Sequence, residues 1–203
     1  MSIKQSMLAL LQQGPMYGYQ LRSEFEERTG STWPLNIGQV YTTLTRLERD
    51  GLIEVVDTGH GEARGEAEGA TDGAGERQVS YRLTEAGAKE ADSWFTSPVP
   101  RTQPPRDELA IKLALAVTLP GVDIGQLIQR QRAATMAALQ EHTRAKRSQT
   151  ADPASVEGLA LGLVLDSLVF DTEAEIRWLD HCESRLRRAA AARTATPTQE
   201  EDR

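Results

Sequence analysis

The stretch PLNIGQVYTTLTRLERDGLI, Pro34 to Ile53, decides the fold. Asn36 can cap a helix, because its side-chain oxygen can accept a hydrogen bond from a free amide in the first turn. From there Val40, Leu44 and Leu47 recur at i, i+4 and i+7, the spacing of one apolar helix face. At about 100° per residue, with Val40 at zero, Leu44 falls near about 40° and Leu47 near about 340°. Gln39, Thr42, Thr45, Arg46 and Arg49 then occupy the far side, and Tyr41 stands at the edge between the two faces. Asp50-Gly51 ends the helix. An α-helix fits the DNA major groove, where Gln and Arg make paired hydrogen bonds to adenine and guanine edges. Threonine hydroxyls and the helix N-terminus suit phosphate oxygens. A polar face of this kind also occurs on ordinary surface helices, so the flanking sequence carries weight.

Upstream, Ile3 to Leu11 has helical spacing and stops at Gly14-Pro15, and a second helix is expected from about Tyr17 to Arg28. Downstream, Leu52 to Val56 is short and β-branched. Val79, Tyr81 and Leu83 alternate with polar residues, the period of a half-buried strand. A helix from Glu85 to Phe95 follows, with Thr84 as its N-cap. Three short helices followed by a β-hairpin is the layout of a winged helix-turn-helix domain, expected over residues 1–97. A proline-rich hinge, 98–105, follows.

Residues 106–192 read as a helical dimerisation domain. Helices are expected over Glu108 to Leu119 and Ile124 to Arg147, then a long last helix capped by Asp152 with Pro153 at its first position. In that helix Leu159, Leu161, Leu163, Leu165, Leu168 and Phe170 leave little polar face. A helix apolar on most sides must be covered on most sides. Three helices of one chain supply too little cover, so a second copy is the expected source. Residues 193–203 are expected to be a disordered tail. The fold class is therefore mainly α with a small β-hairpin wing.

Composition limits the alternatives. The 203 residues contain one cysteine, Cys182, which excludes an internal disulfide framework and any multi-cysteine zinc site. His60, His142 and His181 are scattered, so no metal and no cofactor are expected. No phosphate-binding glycine loop, nucleophile elbow or paired-carboxylate setting is present, and an enzyme is not expected. With no secretory signal and no long apolar run, a soluble cytoplasmic protein without a membrane partner is expected.

The formal charge is −7, from 23 Lys/Arg and 30 Asp/Glu. Much of the excess sits in one segment, residues 57–77, where Asp57, Glu62, Glu66, Glu68, Asp72 and Glu76 lie among glycines and alanines. Such a loop is repelled by phosphate and cannot clamp it. Its composition is that of a solvated, disordered insertion; the alternative is a loop that lowers affinity for random DNA and leaves the helix after Asn36 to select the site. Arg77 and Arg82 at the loop's return, together with Arg64, are its only basic candidates for a DNA contact.

With these elements in place the sequence resembles the PadR family of bacterial transcriptional regulators. The resemblance rests on GPMYGYQL (Gly14 to Leu21), on the Pro34–Ile53 block and on SYRLTEAG (Ser80 to Gly87), in that order. In the second half, DELAIKLALAV (Asp107 to Val117) and EIRWL (Glu175 to Leu179) look like the family's longer, virulence-activator-like subgroup. The resemblance implies a homodimer joined through its C-terminal helices on a double-stranded DNA operator. It implies most often a repressor that lets go when a small molecule binds. It also implies that Tyr41 and its polar neighbours face the DNA and that Tyr19 makes a further backbone contact.

Trp94, Phe95 and Trp178 are the aromatic candidates for an effector pocket, expected between the two halves and suited to a small aromatic compound. Two other functions fit parts of the sequence. One is a protein-interaction module on a winged-helix scaffold, and the other is a small-molecule binder without a DNA role.

Overall fold

The computed structural model describes residues 3–56, 79–100 and 106–195, in two compact units that divide after Pro100. In the first unit, α1 (Ile3–Leu11) leads into a two-residue strand, β1 (Met16–Tyr17). Then come α2 (Gly18–Arg28), α3 (Ile37–Arg49), β2 (Ile53–Val56), β3 (Ser80–Leu83) and α4 (Glu85–Thr96). Met7, Leu8, Leu21, Val40, Leu44, Leu47 and Ile53 are fully or almost fully buried and form the centre of one core. The apolar stripes of α1, α2 and α3 meet there. Burial of such side chains contributes roughly 1.5–3 kcal/mol each and holds three short helices together that would not persist alone.

The sheet is three-stranded, in the order β1-β3-β2 and antiparallel throughout. Met16 pairs with Tyr81 and Tyr17 with Ser80, while Ile53 pairs with Leu83 and Val56 with Ser80. The expected hairpin is present as β2 and β3, with the short β1 added beside β3, and α2 starts at Gly18, next to the expected start near Tyr17. Tyr17 is the extended N-cap of α2, at φ −93° and ψ 163°, and belongs to a strand that is too short to carry a period. The sheet thereby ties the entry to α2 to the return strand of the hairpin.

α3 ends where Gly51 adopts φ 71°, a left-handed conformation that glycine takes without strain. The base of the hairpin is then latched. Thr84 donates its backbone N–H to the Leu52 carbonyl at 3.1 Å and its hydroxyl to the Gly51 carbonyl at 2.8 Å. The Thr84 hydroxyl also accepts the Gly87 N–H at 3.1 Å, which caps α4. Gly87 fits because a Cβ there would stand 1.9 Å from the Leu52 carbonyl oxygen.

The second unit contains α5 (Glu108–Thr118), α6 (Ile124–Arg147) and α7 (Val156–Ala195). Asp107 and Asp123 cap α5 and α6 through their side chains. The long helix begins later than expected. Ser155, not Asp152, accepts the Gly158 N–H at 2.9 Å, whereas Asp152 closes the preceding turn by accepting the Ala154 N–H. It also runs to Ala195, past residue 193 where the tail was expected to start. Residues 196–203 lie outside the described residues.

α6 and α7 pack as an antiparallel pair. Ile128 and Leu179 are fully buried between them with Leu113 of α5 beside them. A polar seam fixes their register. Arg132 bridges Asp180 at 2.8 Å and Glu183 at 2.7 Å, Gln131 donates to Glu175 at 2.9 Å, and Lys146 pairs with Asp166. One flank of α7 is covered in this way, but Val156, Leu159, Leu163 and Phe170 stay exposed along a single stripe.

Candidate nucleic-acid interface

α3 is held from inside by Val40, Leu44 and Leu47, each fully buried, so its opposite side faces outward. Its start is fixed by Asn36, whose side-chain oxygen accepts the Gly38 N–H at 2.8 Å. The turn before it is pinned by Glu26 of α2. That carboxylate accepts from the Arg22 side chain at 2.9 Å and from the Leu35 backbone N–H at 3.2 Å. The Arg22 hydrogen bond, opposed by some burial and helped by the Leu35 N–H, lowers the Glu26 pKa, so the group stays ionised.

Gln39, Tyr41, Thr42, Thr45, Arg46 and Arg49 are all exposed. Asn36, Gln39, Thr42 and Arg46 line one shallow polar depression along the outer side of the helix. Arg46 makes no ion pair among the described residues. It is therefore available to a base edge or a phosphate.

The threonines differ from the expectation. Thr42 donates its hydroxyl to the Gly38 carbonyl at 2.7 Å, and Thr45 donates to the Tyr41 carbonyl at 3.0 Å. Their hydrogens are turned back into the helix, as short hydroxyls do one turn from a carbonyl. In this rotamer they offer lone pairs and methyl groups to a ligand, which suits amino groups and the thymine methyl. Donation to a phosphate oxygen first requires breaking the intrahelical bond. Asn36 is restricted in the same sense, since its oxygen is committed to the cap and its amide remains as the donor.

Tyr19 of α2 and Tyr41 of α3 meet edge to face, with ring centroids 6.3 Å apart and planes at 78°. They are 56% and 40% exposed, so both rings belong to the outer surface while bracing each other. Burial, followed by the nearby charges of Glu48 and Tyr41, raises the pKa of the Tyr81 phenol behind them.

Two of the predicted basic contacts carry partners that the sequence reading missed. Arg49 pairs with Asp50 at 3.1 Å, and Arg82 of β3 pairs with Glu54 of β2 at 2.6 Å. The second pair is set by strand register, since Glu54 stands opposite Arg82. Both are well exposed, and exposed ion pairs contribute only about 0–1 kcal/mol, so phosphate can compete for these arginines. Arg77, Arg64 and the acidic segment lie outside the described residues.

Of the aromatic candidates, Trp94 and Phe95 belong to the first unit and Trp178 to the second. Trp94 and Phe95 form their own tilted pair at the end of α4, with centroids 4.8 Å apart. Trp178 packs in the helical unit, at the edge of the Leu113–Ile128–Leu179 cluster. Among the described residues no group of three or more His, Cys, Asp or Glu side chains is placed to hold a metal ion. None of the described helices is long and apolar enough to cross a membrane.

The comparisons with known proteins point the same way as this geometry. Residues 7–93 match the model of the transcriptional regulator PadR-like family, and residues 105–187 match that of the virulence activator alpha C-terminal family. The chain belongs to the PadR-like family of transcriptional regulators. Its relatives in this family are transcriptional regulators rather than enzymes. The negative transcriptional regulator PadR of Bacillus subtilis is 26% identical over 183 residues, covering 88% of this chain and 93% of its own.

Solved structures show the PadR-like fold over both units. Bacillus subtilis PadR in complex with operator DNA aligns with a TM-score of 0.60 at 22% identity, covering 89% of this chain and 97% of that one. The same protein in complex with p-coumaric acid gives 0.62 at 23% identity, covering 89% and 96%. The Vibrio cholerae virulence activator AphA gives 0.63 at 20% identity, covering 92% and 98%. The PadR-like unit thus carries α3 as its outward helix, and the virulence-activator-like unit carries the long helix.

Proposed function

We propose that this DNA-binding regulator is a cytoplasmic, dimeric repressor that reads a pseudo-palindromic operator and is released by a small effector. In this reading residues 1–97 bind DNA, 98–105 act as a hinge and 106–192 join two copies. One observation carries it: Arg46 is exposed and unpaired among the described residues, beside Gln39 and Thr42, on a helix whose other face is fully buried. Gln39 and Arg46 supply base readout, Tyr19 and Tyr41 flank them, and Arg49, Arg77 and Arg82 approach phosphates.

The stripe of Val156, Leu159, Leu163 and Phe170 supports the second copy, since four large apolar groups in line are costly to leave in water. Two-fold symmetry would set two α3 helices into successive major grooves, about 34–36 Å apart. An aromatic effector is supported by the p-coumaric acid complex of the Bacillus relative. To shift the population a hundredfold, an effector must prefer the DNA-incompetent arrangement by about 2.7 kcal/mol.

Selection of bound fragments from genomic DNA with the purified protein tests the reading. Enrichment of sites with two inverted half-sites one helical turn apart is the expected result, with binding lost as salt rises. Recovery of random fragments only would overturn it.

A further inference from the structure

Thr42 is exposed on the outer side of α3 and lines the depression that it shares with Asn36, Gln39 and Arg46. Its hydroxyl donates to the Gly38 carbonyl at 2.7 Å, and that of Thr43 donates to the Gln39 carbonyl at 2.7 Å. Thr45 and Thr172 bond back into their helices in the same way, so this habit alone assigns nothing. Place is what separates Thr42 from the others. On either side of it in the sequence of α3, Gln39 brings an amide that both donates and accepts, and Arg46 brings a guanidinium. The rest of the depression offers little further hydrogen-bond donation. It holds Thr42 and the half-buried Thr43, both with their hydroxyl hydrogens spent, and Ile3 from the start of α1. Gly38, one turn before Thr42, brings no side chain across it, so a base edge can approach closely.

We propose that Thr42 reads a thymine in each half-site, its methyl group packing on the C5-methyl of the base. That methyl is the one apolar mark on the major-groove edges of the bases, and apolar contact is how it is recognised. Ile3 and the methyl of Thr43 continue the same apolar surface around it. An amino group of adenine or cytosine could reach a lone pair of the Thr42 hydroxyl, but it would give up water for a largely apolar surround, which is costly. Thr42 thereby moves from the phosphate-contacting part expected of a threonine to base readout. Four residues separate it from Arg46, about 6 Å along the helix axis, so its thymine lies within roughly two base-pair steps of the base under Arg46. The proposal rests on the operator reading above and adds to it the identity of one base pair in each half-site.

The experiment uses the full-length protein and the operator recovered by selection from genomic DNA. Thymines are replaced one at a time by deoxyuridine, which removes the C5-methyl and keeps every donor and acceptor of the base. Affinity is read by fluorescence anisotropy. At one position in each half-site the lost methyl should weaken binding about fourfold. Thr42→Ser keeps the hydroxyl and deletes the methyl, so it should lose a similar factor on the thymine operator and become indifferent to deoxyuridine. Thr42→Val keeps a methyl there and deletes the hydroxyl, so it should retain the preference for thymine. The site is exposed, and neither change threatens the core. Neutrality of every thymine methyl would overturn the proposal, as would a preference at that position surviving in Thr42→Ser. Loss of affinity in Thr42→Val with none in Thr42→Ser would assign the hydroxyl to an amino group or a phosphate, and would overturn it equally. If no operator is recovered, the operator reading fails and takes this proposal with it, whereas an operator insensitive to its thymine methyls fails this proposal alone.

Discussion

A methyl group placed on Gly18 would lie 2.8 Å from Cε1 of the Tyr41 ring and 3.2 Å from its hydroxyl oxygen. The first residue of α2 therefore sets where the side chain at the edge of α3 can rest. Gly18→Ala should push Tyr41 outward and disturb its contact with Tyr19. The helix itself gains from alanine by up to about 1 kcal/mol, so little thermal stability should be lost. Operator affinity should fall by on the order of 1 kcal/mol, measured by fluorescence anisotropy beside a thermal melt. Wild-type affinity in Gly18→Ala would show that the placement of Tyr41 does not matter for binding.

The two arginines of α3 should behave differently. Arg46→Ala is expected to cost about 1–3 kcal/mol on the selected operator and much less on random duplex, because an unpaired guanidinium is free to read a base. Arg49→Ala should weaken both duplexes by a similar, smaller amount, since that side chain already neutralises Asp50. Equal losses on both duplexes for Arg46→Ala would assign it to phosphate.

Removing the counter-charge on the sheet gives the opposite sign. Glu54→Gln releases Arg82 from a 2.6 Å pair. Affinity for random DNA should rise, and the slope of log affinity against log salt should steepen by about 1 if one more phosphate is neutralised. An unchanged slope would place Arg82 away from DNA.

Gly87→Ala should destabilise the first unit by about 1–3 kcal/mol, because the new Cβ overlaps the Leu52 carbonyl and the latch must open. For a domain near 100 residues each kcal/mol corresponds to roughly 4–8 °C in Tm. A melt less than about 4 °C below wild type, the smallest shift that a loss of about 1 kcal/mol allows, would contradict the close approach.

Acid should loosen the second unit through Glu183. The hydrogen bond from Arg132, opposed by partial burial and helped by the charges of Arg187 and Arg132, lowers the Glu183 pKa in the folded state. A depressed folded-state pKa gives a contribution that is present above the unfolded value and lost as pH falls through the folded one. An NMR titration should find Glu183 ionising below the ordinary glutamate range, and Arg132→Met should move it back toward that range, with Arg187 still beside it. An ordinary value in the intact protein would mean that the pair is not held in solution.

Much of the first unit was legible because its signals are local. Asn36, Val40, Leu44 and Leu47 declare the start and the buried face of α3 within one short stretch, and Thr84 declares α4. The pairs Arg82–Glu54 and Tyr41–Gly18 were not legible, since each depends on how distant strands or helices are placed. Strand β1 was missed because two residues carry no periodicity. The displaced cap of α7 has a plainer cause: Asp152 and Ser155 are both good caps with suitable spacing, and only the folded backbone shows which one accepts the Gly158 N–H.

The Thr84 latch and the Val56–Ser80 pairing have an engineering consequence. They hold the two ends of the connecting segment in neighbouring strands whatever that segment's length. Doubling the length of a tether between fixed anchors costs only about 0.6 kcal/mol. A foreign sequence spliced between residues 57 and 78, such as a fluorescent tag or a whole extra module, should leave the reading helix undisturbed.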